Sequence, residues 1–71
     1  MKESFWYHVG GTISCVREEG FYEAYSARQA CYKFCRDHGL SNAANVPELS
    51  ATNVNDKTDT FYAANNGYLN D

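Results

Sequence analysis

Apolar and polar residues alternate along the first part of the chain, which is the pattern of a β-strand with one buried face. From Phe5 to Arg17 the sequence is rich in aromatic and β-branched residues. A period of two places one set of side chains on one face: Phe5, Tyr7, Val9, Ile13 and Cys15. The other face then carries Trp6, His8, Thr12 and Ser14.

Gly10 and Gly11 interrupt this alternation. They fit either a bend within one long strand or a two-residue hairpin turn between two short strands, and we favour the bent strand. A turn is predicted at 17–20, because Gly20 supplies the residue that a positive φ favours. Residues 21–25 then form the returning strand.

A helix is predicted over residues 26–38. Ser26 and Gln29 have the spacing of a capping box, in which the Gln side chain reaches back to the N–H of the cap residue. Gly39 followed by Leu40 fits a Schellman motif at the other end. The 3.6-residue period gathers an apolar face from Ala27, Ala30, Cys31, Phe34, Cys35 and His38. This helix is therefore amphipathic and lies on a flat surface.

The chain after Leu40 has a weaker pattern. Residues 41–60 are rich in Asn, Ser, Thr and Asp, which predicts much loop. Within and after them we predict a short strand at 49–54, a turn at 55–58, and a strand at 60–64 whose Phe61 or Tyr62 completes the core. A helix of this kind covers one face of a three- or four-stranded sheet, and the chain before it supplies only two strands. The chain after Leu40 must therefore supply at least one more.

These elements define the fold class. We predict an α+β protein with a three- to four-stranded antiparallel sheet, one helix packed on one face, and the order β-β-α-β(-β). With 71 residues the chain is expected to form a single domain over 1–71. The last residues, 65–71, are predicted to be mobile.

Cysteine content and targeting signals bear on the compartment. No stretch has the apolar length of a membrane span, and the N-terminus lacks the pattern of a secretory signal. The three cysteines are an odd number, which is unusual for a secreted disulfide scaffold. We expect a cytoplasmic protein with free thiols and without a membrane anchor.

The net charge of −3 lies in the second part of the chain. Residues 1–40 balance five acids against five bases, whereas residues 41–71 carry four acids and only Lys57 as a base. This balance disfavours general nucleic-acid binding. It favours a basic partner, and Glu48, Asp56 and Asp59 are the carboxylates expected to steer it.

Cys31, Cys35 and His38 are the candidate metal ligands, because they share one helix face and Cys15 could lie on the strand beneath. However, buried cysteines are usually small core residues, and this spacing matches no known zinc pattern. We therefore predict no cofactor. The chain also lacks a phosphate loop, a nucleophile elbow and a paired-carboxylate site, so we expect no enzyme.

Arg28, Tyr32 and Arg36 form a stripe at i, i+4 and i+8 on the outer helix face. Arg and Tyr together can stack on bases and bind phosphates. The stripe is the candidate surface of an alternative function, nucleic-acid binding.

The eleven aromatic residues exceed what one small core can hide. A sheet covered by one helix leaves its other face open, and we expect that face to present Trp6, His8, Tyr22 or Phe21, and Tyr25. Exposed Trp and Tyr are typical of binding hot spots. The C-terminal segment could instead fold over this face.

The main functional hypothesis is a non-catalytic binding module that covers a surface of a larger protein or ribonucleoprotein. In size and charge the chain is similar to phage- or mobile-element-encoded inhibitors of host defence, anti-CRISPR proteins among them. A homodimer or other homo-oligomeric structural subunit, using the same aromatic face, is the second alternative.

Overall fold

The computed structural model of the protein describes residues 3–40 and 46–63. It contains strands β1 (Phe5–Ile13) and β2 (Val16–Ala24), helix α1 (Ala27–Asp37), and strands β3 (Ser50–Asn53) and β4 (Asp56–Tyr62). The strands form one antiparallel sheet in the order β2-β1-β3-β4, and α1 packs against it. The predicted α+β class, element order and four-stranded sheet are confirmed.

The turn between β1 and β2 lies at Ser14 and Cys15, where the sequence does not predict it. Both residues have positive φ angles, 52° and 67°, as the two central residues of a type I′ hairpin turn require. The predicted turn at 17–20 is wrong, because those residues pair with 9–12 of β1. The stabilisation from pairing two nine-residue strands in full register exceeds the strain of about 1–2 kcal/mol for each turn residue.

Gly10 and Gly11 lie inside β1, so the hairpin interpretation of this pair is wrong and the strand is continuous. Each glycine makes room on a different face of the sheet. A Cβ on Gly10 would meet the guanidinium of Arg17, whereas a Cβ on Gly11 would lie 2.7 Å from Cγ1 of Val46. Close approach, rather than a turn, therefore explains both glycines.

The helix ends match the prediction closely. Oγ of Ser26 accepts a hydrogen bond from the backbone N–H of Gln29 at 3.1 Å. The side chain of Gln29 reaches back one residue further than predicted, and its Oε1 accepts from the N–H of Tyr25 at 2.8 Å. Gly39 has a φ of 71°, and the N–H of Leu40 donates to the carbonyl of Cys35, as in a Schellman motif.

The core lies between α1 and the sheet. Tyr7, Val9 and Ala51 contribute from the strands, and the apolar face of α1 supplies Ala27, Ala30, Cys31, Phe34 and Cys35. Val46 and Leu49, in the segment before β3, are also buried. His38, predicted on the apolar face, is half-buried at the helix C-cap, with its ring centroid 4.4 Å from that of Phe34.

The second half supplies two strands, β3 within the predicted 49–54 range and β4. β4 begins at Asp56, earlier than predicted, because the connecting turn occupies only Val54 and Asn55. Of the two aromatic residues considered for the core, Phe61 packs against it and Tyr62 is exposed. Residues 41–45, in the loop-rich segment, and 65–71, predicted to be mobile, lie outside the described residues.

Candidate functional site: the open face of the sheet

The sheet face opposite α1 carries a set of exposed aromatic rings. Even-numbered residues of β1 point away from the helix, because Tyr7 and Val9 point toward it. The paired positions on β2, β3 and β4 extend this surface across the sheet. We call it the open face; its residues include Trp6, His8, Arg17, Glu19, Phe21, Glu23, Thr52, Val54, Thr60 and Tyr62.

Three rings of the open face are more than half exposed. Trp6 is 52%, Tyr62 55% and Phe21 63% accessible to solvent. Phe21 pairs across the strands with His8, and their ring centroids are 5.3 Å apart. Trp6 is two residues from His8 on the same face of β1, and it pairs with Glu23. Trp6 and Phe21 are therefore diagonal neighbours. Trp6, His8 and Phe21 therefore form a patch, whereas Tyr62 lies on β4, with β1 and β3 between it and Phe21.

His8 is held in the patch by a carboxylate. Its Nε2 lies 2.7 Å from Oε1 of Glu19, and Nε of Arg17 lies 3.5 Å from the other oxygen of that group. The hydrogen bond to His8 is the main cause that lowers the pKa of Glu19. Glu19 thus carries its negative charge on the open face at neutral pH.

A groove of about 520 Å³ lies beside this patch, over β3 and β4. It is lined by His8, Thr52, Asn53, Val54, Lys57, Thr60 and Tyr62. The hydroxyl oxygens of Thr52 and Thr60 are 3.3 Å apart across the two strands. Lys57 brings a positive charge to this side of the face, whereas Glu19 and Glu23 lie on the β2 side.

Tyr22 lies on the other face of the sheet, so its predicted place in the binding surface is wrong. It pairs with Tyr7, whose side chain is buried beneath α1. Its hydroxyl donates to Oδ2 of Asp37 at 2.8 Å, and its ring packs edge-on against Phe34 at 6.0 Å. Phe21, the alternative to Tyr22, occupies the open face. Tyr25 is 53% exposed, immediately before the N-cap of α1.

The three predicted steering carboxylates have different surroundings. Glu48 is exposed in the segment before β3, where Oε1 accepts a hydrogen bond from the hydroxyl of Thr12 at 3.3 Å. Asp56 is exposed at the start of β4, and two hydrogen bonds from Thr58 lower its pKa. Both carboxylates are accessible to a partner.

Asp59, in contrast, is a structural residue. Its Oδ2 accepts a 2.6 Å hydrogen bond from the hydroxyl of the buried Tyr7 and a 3.3 Å bond from the amide of Asn53. Asn53 is itself only 5% exposed. The predicted steering role does not fit Asp59, because this half-buried carboxylate already accepts hydrogen bonds from Tyr7 and Asn53.

The candidate metal ligands are not assembled as the spacing suggested. Cys31 and Cys35 are buried with free thiols, and burial raises the pKa of both, that of Cys31 to about 12. Cys15 lies in the β1–β2 turn and is exposed, rather than on a strand beneath the helix. Within residues 3–40 and 46–63, no three His, Cys, Asp or Glu side chains are grouped as metal ligands.

The helix stripe is present as predicted, with Arg28 and Arg36 exposed and Tyr32 half-buried. The guanidinium carbon of Arg36 lies 5.8 Å from the centre of the Tyr32 ring, a cation–π distance. This contact already occupies one face of the ring that base stacking would use.

Among the residues that line the groove, the sequence predicts a binding role only for His8; the structure adds Thr52, Asn53, Val54, Lys57, Thr60 and Tyr62. Lys57 is the only base of residues 41–71, but the composition predicts a turn at this position. The sequence pattern predicts Val54 at the end of a strand, whereas it is exposed in the β3–β4 turn, where its N–H donates to the carbonyl of Trp6 at 3.0 Å. Only the pairing of β1 with β3 brings these residues beside Trp6 and His8.

Comparisons of the chain with known protein families, with curated proteins and with solved structures give no match. In the part of the chain that the structure describes, α1 is the longest helix, and it lacks the length and hydrophobicity of a membrane span.

Proposed function

We propose that the protein is a non-catalytic protein-binding module that uses the open face to cover a surface of a larger protein or ribonucleoprotein. The observation that carries this proposal is the exposure of Trp6, Phe21 and Tyr62, each more than half accessible to solvent on one face of the sheet. Large aromatic rings contribute most to binding when a partner desolvates them.

The charges of the open face determine which partner fits. Glu19 and Glu23 lie along β2, and Glu48 and Asp56 add accessible carboxylates elsewhere. A basic rim on the partner would meet the β2 side, while Lys57 favours an acidic group beside the groove. Such complementarity sets orientation and association rate more than affinity.

Surface occlusion is the mechanism that we assign to this module. An inhibitor of a host defence complex, expected from size and charge, is one form of this mechanism and stays a prediction. The homo-oligomeric alternative would use this same aromatic face on a second copy of the chain, and it also stays a prediction.

Native mass spectrometry of the protein isolated from its own cells tests the proposal. We expect the wild type to retain a larger protein, and Trp6→Ala and Phe21→Ala to lose it. Tyr32→Ala is the matched control, since it removes an aromatic ring from the helix instead. Both open-face variants should fold, because truncation of an exposed side chain usually changes stability by only about 0.5 kcal/mol.

Two results would contradict the proposal. Retention of the partner by the Trp6→Ala/Phe21→Ala double variant would place the binding surface elsewhere. Loss of the partner in Tyr32→Ala alone would assign it to the helix stripe, and Arg28→Glu with Arg36→Glu would then test nucleic acid as the ligand. A mass showing bound zinc would direct attention to the cysteines.

A further inference from the structure

Among the strands that the structure describes, β2 lies at one edge of the sheet, and its backbone presents a regular row of hydrogen-bonding groups. In an antiparallel pair closed by a two-residue turn, the pair next to the turn is hydrogen-bonded and the pairs then alternate. Ile13 and Val16 form that first pair. The N–H and C=O groups of four residues therefore point away from β1: Arg17, Glu19, Phe21 and Glu23.

Two hydrogen bonds agree with this assignment. Nζ of Lys33 donates to the carbonyl of Glu23 at 2.6 Å, which requires that carbonyl to face outward from the sheet. On β1, the carbonyl of Trp6 accepts from Val54, so the residue opposite Glu23 points toward β3 and not toward β2. A row of outward-facing backbone groups is a template for a further strand, and in this row Lys33 already engages the carbonyl of Glu23.

We propose that this edge pairs with the same edge of a second copy, antiparallel and centred on Gly20, so that two chains form one eight-stranded sheet. In this register Arg17 lies opposite Glu23 of the second copy, and Glu23 lies opposite its Arg17. Cross-strand pairs of opposite charge stabilise a sheet, and like charges directly opposite destabilise it.

The order of charges along the edge selects this register. A shift by two residues in one direction places Glu19 opposite Glu19, and a shift in the other direction places Glu19 opposite Glu23. Each of these alternatives sets carboxylates against each other on adjacent strands. The register centred on Gly20 avoids this while it keeps all four outward-facing residues paired.

The proposed pairing is compatible with the contacts of the single chain. In the single chain the guanidinium of Arg17 lies over Gly10, with Nε 3.5 Å from Glu19, and Oε2 of Glu23 accepts a hydrogen bond from the hydroxyl of Ser4. Both side chains are exposed and turn from these contacts toward the second copy when the pair forms. Lys33 can keep its bond to Glu23, because a carbonyl oxygen has two lone pairs. A two-fold axis perpendicular to the sheet places both helices on one side. The two open faces then form one continuous surface, with the Phe21 rings diagonal to each other at its centre.

This inference goes beyond the proposed function, since it needs no foreign partner, and purified protein is sufficient to test it. Sedimentation equilibrium over a roughly hundredfold range of concentration should show a mass rising from 8.0 kDa toward twice that value. Arg17→Glu and Glu23→Arg should each weaken dimerisation about 10-fold or more, because both symmetry-related pairs become like-charged.

The Arg17→Glu/Glu23→Arg double variant should restore the dimer, because it exchanges the two charges and keeps the register. Arg28→Glu is the matched control, since it changes the net charge as much as Arg17→Glu does but lies on the helix, and it should dimerise like the wild type. Circular dichroism checks that all variants fold.

Amide exchange supplies a second measurement. In the dimer the N–H groups of Arg17, Glu19, Phe21 and Glu23 should become protected as concentration rises. The N–H groups of Glu18 and Tyr22, bonded to β1, should be protected at every concentration.

A wild type that stays at 8.0 kDa throughout would overturn the proposal. A dimer that tolerates both single charge reversals would also overturn it, and one that the double variant fails to restore would exclude this register. None of these outcomes involves Trp6. Absence of the dimer would therefore leave the proposed binding of a larger protein unaffected, and native mass spectrometry of the Trp6 and Phe21 variants tests that proposal separately.

Discussion

At the scale of single residues, Gly10 and Gly11 show how neighbouring positions of one strand can have opposite requirements. A side chain on Gly10 would meet the tip of Arg17, which can swing aside. A Cβ on Gly11 would lie 2.7 Å from Val46 and 3.4 Å from the Cα of Leu49. The segment before β3 can pack under the sheet only because Gly11 has no side chain.

Gly11→Ala should therefore destabilise the protein by about 1–3 kcal/mol, the usual range for an overpacked core. Gly10→Ala is the matched control and should change the free energy of unfolding by at most about 1 kcal/mol, with stabilisation from the less flexible unfolded chain. Urea denaturation measures both. Equal losses in the two variants would show that strand propensity, and not the contact with Val46, decides the effect.

The residue scale also shows where sequence reasoning about charge was incomplete. Asp56 and Asp59 are both acids of the second half, and nothing in the sequence distinguishes their roles. In the structure, Asp56 is exposed, whereas Asp59 accepts hydrogen bonds from Tyr7 and Asn53. The difference depends on the pairing of β3 with β1, which brings a residue 52 positions away to the carboxylate.

At the scale of secondary-structure elements, the helix was predictable and the hairpin turn was not. The helix carries its own signals in Ser26, Gln29, Gly39 and Leu40, and each makes a local contact. The β1–β2 turn has no Gly or Asn at either central position, although both φ angles are positive. The register of the paired strands places the turn at Ser14 and Cys15. These two residues adopt positive φ angles although the conformation is strained for them.

Relief of this strain should stabilise the hairpin. Cys15 has a φ of 67° and is exposed, so Cys15→Gly should raise the free energy of unfolding by about 1 kcal/mol. Thermal or urea denaturation under reducing conditions checks it. Cys15→Ser is the matched control, because it removes the thiol and keeps the strained conformation; a similar gain in that variant would mean that the thiol, rather than the backbone, limits stability.

At the scale of the whole molecule, the contact between helix and sheet raises the pKa of several groups and so favours their neutral form. Burial, with a further contribution from Asp59, raises the pKa of Tyr7 from 10.0 to about 12. Burial and the bond to Asp37 raise the pKa of Tyr22 to about 12 as well. Burial raises the pKa of Cys31 from 9.0 to about 12. Alkali thus acts on Tyr7, Tyr22 and Cys31, which belong to the contact between α1 and the sheet.

The sign of the effect follows from these directions. Above pH 9.0 to 10.0 the unfolded chain loses protons that the folded chain keeps. The free energy of unfolding should therefore be unaffected by these groups below this range and should decrease as pH rises toward about 12. Urea midpoints at about pH 8 and about pH 11, with reductant, measure this fall.

Tyr7→Phe should be less stable at neutral pH, because it leaves Asp59 without its hydroxyl donor, but its stability should fall less with pH. Tyr25→Phe, at a half-exposed ring, should keep the wild-type pH dependence. An identical fall in Tyr7→Phe and wild type would assign the alkaline transition to other groups.

The sequence by itself determined the α+β class, the position of the helix with its two caps, and an excess of aromatic residues over core space. These features depend on local periodicity and short-range hydrogen bonds, which act between residues close in the chain. The tertiary structure alone decided the turn at Ser14 and Cys15, the exchange of Tyr22 for Phe21 on the open face, and the inward role of Asp59. Each of these depends on strand register, and a shift of one residue moves every side chain to the opposite face.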